Sequence, residues 1–103
     1  VVLPCLLGQE AIIHMADIED TGPIVREILD DPEKYIGQDI CICGDAISFG
    51  DISKIFTKVT GRPAISKTLT EDEFRASMSF MSKLAQNELI AMPRWIEEYG
   101  CYG

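Results

Sequence analysis

His14 is the single histidine of the chain, and so the one imidazole that could exchange a proton near neutral pH. It stands in the apolar run Ala11-Ile12-Ile13-His14-Met15-Ala16. A strand histidine in that company more readily bonds a backbone group than acts as a general base. Strand ends in open α/β sheets nevertheless border ligand clefts, which makes His14 and Met15 candidate lining residues. Proton relay beside a hydride donor calls for a tyrosine with a lysine four residues on. Asp39 stands four beyond Tyr35, and Lys54, Lys58, Lys67 and Lys83 have no tyrosine at that spacing. The pairs Asp30/Asp31 and Glu97/Glu98 are adjacent, so on helices they point in different directions and read as solvated faces. No catalytic residue is assigned.

A phosphate cradle needs clustered glycines between a strand and a helix, because backbone N–H groups must reach the anion. The eight glycines are scattered and form neither G-x-G-x-x-G nor a Walker-type run. No cofactor-binding residue is assigned, and nucleotide binding by this segment alone is not expected. Cys41 and Cys43 share an apparent strand, Ile40-Cys41-Ile42-Cys43. Their side chains would lie on one face there, as small apolar filler. Cys5 and Cys101 are remote in sequence, and no further ligand stands at metal-binding spacing. No metal site is assigned, and a reducing compartment is the default without a secretion signal.

Phe74, Met78, Phe80 and Met81 form an aromatic and thioether cluster. Core is the plainer reading; a pliable apolar wall for a ligand or partner is the sharper one. Met92, Trp95 and Tyr99, three and four residues apart, share one helix face and pose the same question. Phe80 and Trp95 join His14 and Met15 as candidate residues of a substrate or partner cleft.

These side chains need elements to hold them. Residues 11–16 read as a strand covered on both faces. Asp17 has the spacing of an N-cap, with Asp20 three residues on. Ile18, Thr21, Val25, Ile28 and Leu29 recur at helical spacing, with Pro23 either kinking the first turn or delaying the helix start. Asp30-Asp31-Pro32 ends that helix. A second strand is expected over Asp39 to Cys43, closed by Gly44-Asp45. Ser48 is a helix N-cap, Ile52, Ile55, Phe56 and Val59 are the buried stripe that follows, and Gly61 is its stop. Residues 63–69 make a third strand. Thr70-Glu71-Asp72-Glu73 is a capping box for a short helix that breaks near Ser77 to Ser79. A last helix spans Ser82 to Tyr99, kinked or split at Pro93. Alternating strands and helices predict an α/β fold, about three short strands with four or five helices and mainly parallel pairing.

At 103 residues one domain is the limit, and 47% hydrophobic composition is ample for its core. It is also rich enough to suggest apolar surface reserved for a partner. A formal charge of −8 repels phosphate backbones and argues against direct nucleic-acid binding. It equally disfavours a polybasic membrane anchor. Val1-Val2-Leu3-Pro4-Cys5-Leu6-Leu7 is apolar but has no basic flank and is broken by Pro4. It reads as a loop or strand end rather than a signal or membrane span. With no initiator Met and an abrupt ending, the chain reads as one partial domain over 1–103. Apolar faces that outnumber the available partners predict self-association or marginal folding.

Three runs together resemble the NmrA-like family, atypical relatives of the short-chain dehydrogenases. The first is Ile18-Glu19-Asp20-Thr21-Gly22-Pro23-Ile24-Val25, with Leu29 and Asp31-Pro32-Glu33-Lys34-Tyr35-Ile36-Gly37-Gln38. The second is Phe56-Thr57-Lys58-Val59-Thr60-Gly61-Arg62-Pro63. The third is Glu88-Leu89, Met92 and Arg94-Trp95-Ile96-Glu97-Glu98-Tyr99-Gly100, ending Tyr102-Gly103. The resemblance spans about Met15 to Gly103. It implies the C-terminal lobe of a Rossmann-type protein whose N-terminal lobe, upstream of Val1, binds NAD(P). Members of the group include regulators that sense dinucleotide redox state and bind protein partners, and reductases that act on small organic molecules. The expected role is therefore the cleft wall and partner-binding lobe of a non-catalytic regulator. The alternative is the substrate lobe of an NAD(P)H-dependent reductase. Without a secretion signal the parent protein is expected in the cytoplasm, and for a regulator also in the nucleus.

Overall fold

The computed structural model describes residues 1–102. Four strands and five helices follow one another: β1 (Val2–Cys5), β2 (Ile12–Met15), α1 (Thr21–Asp30), α2 (Pro32–Tyr35), β3 (Asp45–Ser48), α3 (Phe49–Thr60), β4 (Ile65–Thr68), α4 (Glu71–Ser77) and α5 (Lys83–Tyr99). A 3-10 turn, Ile18–Asp20, precedes α1. The class is mixed α/β, as expected, with one more strand than the sequence suggested. The chain divides into a larger unit, Val1–Ile13 with Ile47–Gly103, and a smaller one, His14–Ala46.

In the larger unit β1 and β4 run parallel, pairing Val2 with Ile65 and Cys5 with Thr68. The first strand is thus the apolar N-terminal run, which alternates exposed and half-buried positions. Bonds from the Val1 backbone nitrogen to the Pro63 carbonyl (2.7 Å) and from Leu69 N–H to the Cys5 carbonyl (2.7 Å) close the pair at both ends. β2 and β3 form a second two-stranded sheet. Beside it, Phe49 N–H donates to the Ala11 carbonyl and Gly50 N–H to that of Gln9. These two stretches therefore run antiparallel, so pairing is not mainly parallel.

Ser48 ends β3 and caps α3, accepting from Asp51 N–H, and Gly61 stops the helix at φ +71°. No other residue type holds that left-handed conformation as cheaply. The anticipated stripe on α3 is only partly covered: Ile52 and Phe56 are half-buried, whereas Ile55 and Val59 face solvent. Phe49 and Ser53 are the residues buried there, joined in the core by Leu7, Ile90 and Gln86. Ser66 Oγ donates to the Phe49 carbonyl (2.8 Å), tying β4 to the start of α3.

Thr70 and Glu73 form the capping box at α4, each side chain bonded to the other's backbone N–H. Met78 closes α4, and Ser82 caps α5. α5 continues through Pro93 as one helix rather than splitting. The proline sits on the buried side, where the carbonyl one turn back loses its usual N–H donor.

Within the smaller unit Asp17 caps the 3-10 turn, its Oδ1 accepting from Glu19 N–H at 2.9 Å. α1 then starts at Thr21, so Pro23 falls in the first turn, where its missing N–H breaks no intrahelical bond. Pro32 opens α2, and the Tyr35 hydroxyl donates to Glu27 Oε1 at 2.7 Å.

The strand expected over Asp39 to Cys43 is not formed; those residues are irregular, and β3 begins at Asp45. Strand propensity favoured the Ile-Cys-Ile-Cys run, but position in the fold decided. The residues that pair are those running directly into α3, whose first residue, Phe49, is buried and bonded to Ala11. Cys41 and Cys43 are consequently exposed rather than apolar filler.

Candidate functional site

The described residues offer two places where function could reside, one polar and one apolar, both in the larger unit. The polar one is a shallow cleft of about 270 Å³ at the start of α3, lined by Gln9, Glu10, Ser48, Gly50, Asp51 and Lys54. Ser48 Oγ donates to Asp51 Oδ2 (2.8 Å), and Lys54 Nζ donates to Asp51 Oδ1 (2.7 Å). The bond from Lys54 holds the Asp51 carboxyl below its ordinary value, helped by Ser48; Asp51 in turn raises the Lys54 ammonium. Gln9 is committed elsewhere, its amide donating to the Ser66 carbonyl (3.2 Å) and Thr68 Oγ1 (3.0 Å). A Cβ on Gly50 would meet Gln9 Oε1 at 3.1 Å, so glycine permits this close approach.

This cleft does not fit a pyrophosphate. Its one cation is already paired with Asp51, and Glu10, which also acts on Lys54, leaves the lining with more negative than positive charge. The glycines with positive φ, at 37, 61 and 100, each end or follow a helix and do not cluster. Gln9 links β4 to the start of α3, through Ser66 and Thr68 on one side and Gly50 N–H on the other.

The apolar place is α5. At about 100° per residue, Gln86, Ile90 and Pro93 fall on one side, and these are its buried residues. Leu84, Met92, Trp95 and Tyr99 fall on the opposite side, and all four are exposed. Trp95 is 53% exposed, and its ring lies 4.4 Å from that of Tyr99, tilted by 40°. Phe80, in the turn between α4 and α5, is 82% exposed, while Phe74, Met78 and Met81 are half-buried. Phe80 is therefore not core. α5 is anchored by its other side. Gln86 Nε2 donates to the carbonyls of Met78 (2.9 Å) and Met81 (3.1 Å), Glu97 accepts from Gly8 N–H (2.5 Å), and Arg94 pairs with Glu71, which Arg75 also grips.

Of the four candidate lining residues, Phe80 and Trp95 thus belong to the larger unit, both solvent-facing. His14 (half-buried) and Met15 (exposed) belong to the smaller one, on β2. Sequence reasoning missed Gln9, Gln86 and Glu97 as anchors. For Gln86 a signal existed: it shares the 86, 90, 93 helical spacing of the buried side, and a polar residue there implies a buried partner. Cys101 Sγ lies 3.8 Å from the Ile12 carbonyl, close enough to donate to it. Among the described residues no three His, Cys, Asp or Glu side chains gather as a metal site, and no helix is long and apolar enough to cross a membrane.

The described residues form a mixed α/β fold of short strands and five helices. The family model for the NmrA-like family matches residues 6–103, and the chain belongs to that family. The match begins earlier than the resemblance read from sequence, taking in Leu7 and Gln9 as well.

Proposed function

We propose that this chain is the non-catalytic, partner-facing lobe of an NmrA-like regulatory protein, with NAD or NADP held by a separate Rossmann lobe. The observation that carries the reading is α5. A helix already anchored on its Gln86, Ile90 and Pro93 side still presents Leu84, Met92, Trp95 and Tyr99 to solvent. Burying such side chains is worth roughly 1.5–3 kcal/mol each, so leaving four of them open on one stripe forgoes a large stabilisation unless another body covers it. Membership of the NmrA-like family supplies the candidate body, a dinucleotide-binding lobe. Phe80 and Trp95 are assigned to the docking surface; His14 and Met15 are assigned to the ligand-facing edge of β2.

The sole tryptophan makes the test direct. Titrating the chain with a tryptophan-free Rossmann lobe of an NmrA-like protein is expected to give a saturable blue shift of Trp95 emission that NAD(P) modulates. Calorimetry of the chain alone is expected to show no dinucleotide binding. Micromolar NAD(P) affinity of the chain alone, or consumption of NAD(P)H with reduction of a small organic molecule by the joined lobes, contradicts the reading.

A further inference from the structure

Nearly all of the net charge lies in one stretch of the chain. His14–Ala46 carries nine carboxylates and two cations, so seven of the eight net negative charges fall within the smaller unit. Its cations, Arg26 and Lys34, already face Asp30 (3.6 Å) and Glu27 (3.8 Å). We propose that α1 in this unit is a docking face for a basic amphipathic helix of another protein.

Two properties of α1 coincide. Ile24 and Ile28 form its half-buried side. Val25 and Leu29, four residues apart on a neighbouring side, stay open to solvent, Leu29 at 71%, and Ile18 in the turn before the helix is 86% exposed. Carboxylates stand at both ends of this apolar stripe. Asp17, Glu19 and Asp20 precede it, Asp30, Asp31 and Glu33 follow it, and all six are exposed. A stripe bounded in this way is complementary to a helix with one apolar side and Lys or Arg towards both of its ends. The ten residues of α1 make it about 15 Å long, so an occupant of about four turns overlies it and reaches both acidic ends.

Charge selects that occupant. Two copies of this face repel each other, and a nucleic acid or an anionic membrane is repelled as well. Among the described residues no three carboxylates gather as a metal site, so the charge is spread along the surface rather than focused on an ion. A polycation meets spread charge, and the apolar stripe requires that it also be amphipathic. Contact through a single helix face belongs to the weak, transient and salt-sensitive class of interfaces. The unit that holds α5 carries only the one remaining net negative charge, so the two exposed stripes select different partners.

The probe is a fluorescein-labelled peptide of leucine and lysine, patterned so that its leucines share one helix side, added to the full chain. Fluorescence anisotropy is expected to show saturable binding that weakens as salt is raised. A peptide of the same composition in scrambled order is expected to bind at least about tenfold more weakly. The double change Val25→Ser with Leu29→Ser, and separately the set Asp20→Asn, Asp31→Asn and Glu33→Gln, are each expected to weaken the patterned peptide by a similar factor. Val59→Ser, an exposed apolar change in the larger unit, is expected to leave binding unaltered. Equal binding of the two peptides, no saturable binding, or an affinity that survives added salt or both sets of substitutions overturns the proposal. So do amide shifts, in spectra of the unaltered chain with the peptide, that are confined to the larger unit.

Discussion

The side-chain amide of Gln86, in the first turn of α5, donates across 2.9 Å to the main-chain carbonyl of Met78, the residue that closes α4. The same nitrogen reaches the Met81 carbonyl, so one buried side chain fixes the whole turn between the two helices. Phe80 sits in that turn and is 82% exposed.

Replacing Gln86 with Leu keeps much of the volume and removes both donors. The Met78 carbonyl keeps its bond from Met81 N–H (2.9 Å), whereas the Met81 carbonyl loses the Gln86 donor, at about 1–3 kcal/mol for a buried acceptor left without a partner. A urea-denaturation midpoint that matches the parent chain would show that the brace is dispensable.

The two sides of α5 are expected to respond differently to truncation. Ile90→Ala hollows the core and is expected to cost about 2–5 kcal/mol of folding stability. Trp95→Ala removes a ring that is half in solvent, so stability is expected to change by no more than about 0.5 kcal/mol. If α5 docks a Rossmann lobe as proposed, the affinity for that lobe is expected to fall at least about tenfold, equivalent to 1.4 kcal/mol. Equal effects of the two substitutions on both measurements would erase the distinction between the sides.

Acid titration probes the α4–α5 clasp. Hydrogen bonds from Arg75, with the charges of Arg94 and Arg75, hold the Glu71 carboxyl below its ordinary 4.5. The Thr70 backbone N–H and Lys67 do the same for Glu73. A depressed carboxylate contributes stability that is complete above the unfolded value and is lost as the pH falls through the lower folded value. Stability is therefore expected to fall below about pH 4.5 and to be level above it as far as these groups decide. Glu71→Gln is expected to flatten part of that acid slope. Denaturation midpoints measured across the acid range give the answer, and an unchanged slope counts against the clasp.

Gly61→Ala tests a single backbone angle. Nothing lies within 4 Å of the added Cβ, so the only penalty is the left-handed conformation at φ +71°, about 1 kcal/mol. A thermal midpoint no lower than that of the parent chain would refute this account of the α3 terminus.

Apolar exposure extends beyond α5, with Ile18 at 86%, Val59 at 78% and Leu29 at 71%. Sedimentation of the isolated chain is expected to show self-association or a broad, concentration-dependent unfolding transition. A monomer with one sharp transition, unmoved by concentration, argues for a self-sufficient fold.

What the sequence disclosed was mostly local. Ser48 and Thr70 each accept from a backbone N–H three residues on, so these caps could be read directly from residue type and spacing. Strand position was less accessible. The Ile-Cys-Ile-Cys run has the stronger strand propensity, yet Asp45–Ser48 pairs because its neighbour Phe49 is anchored by Ala11 and the core. Long-range bonds such as Gly8 with Glu97 leave no trace in spacing at all. Of the candidate residues, Phe80 and Trp95 could be flagged because large apolar side chains outnumber what a small core can bury. Which of them remain outside depended on where Gln86 and Pro93 turn the helix.

The division of α5 has a bearing on inheritance. Gln86, Ile90 and Pro93 answer to neighbours encoded in these same 103 residues. Leu84, Met92, Trp95 and Tyr99 answer to whatever covers them. Among related chains the first set is expected to co-vary with positions inside this segment and the second with positions on a different surface. One helix then carries two separate records of selection, interleaved at every turn.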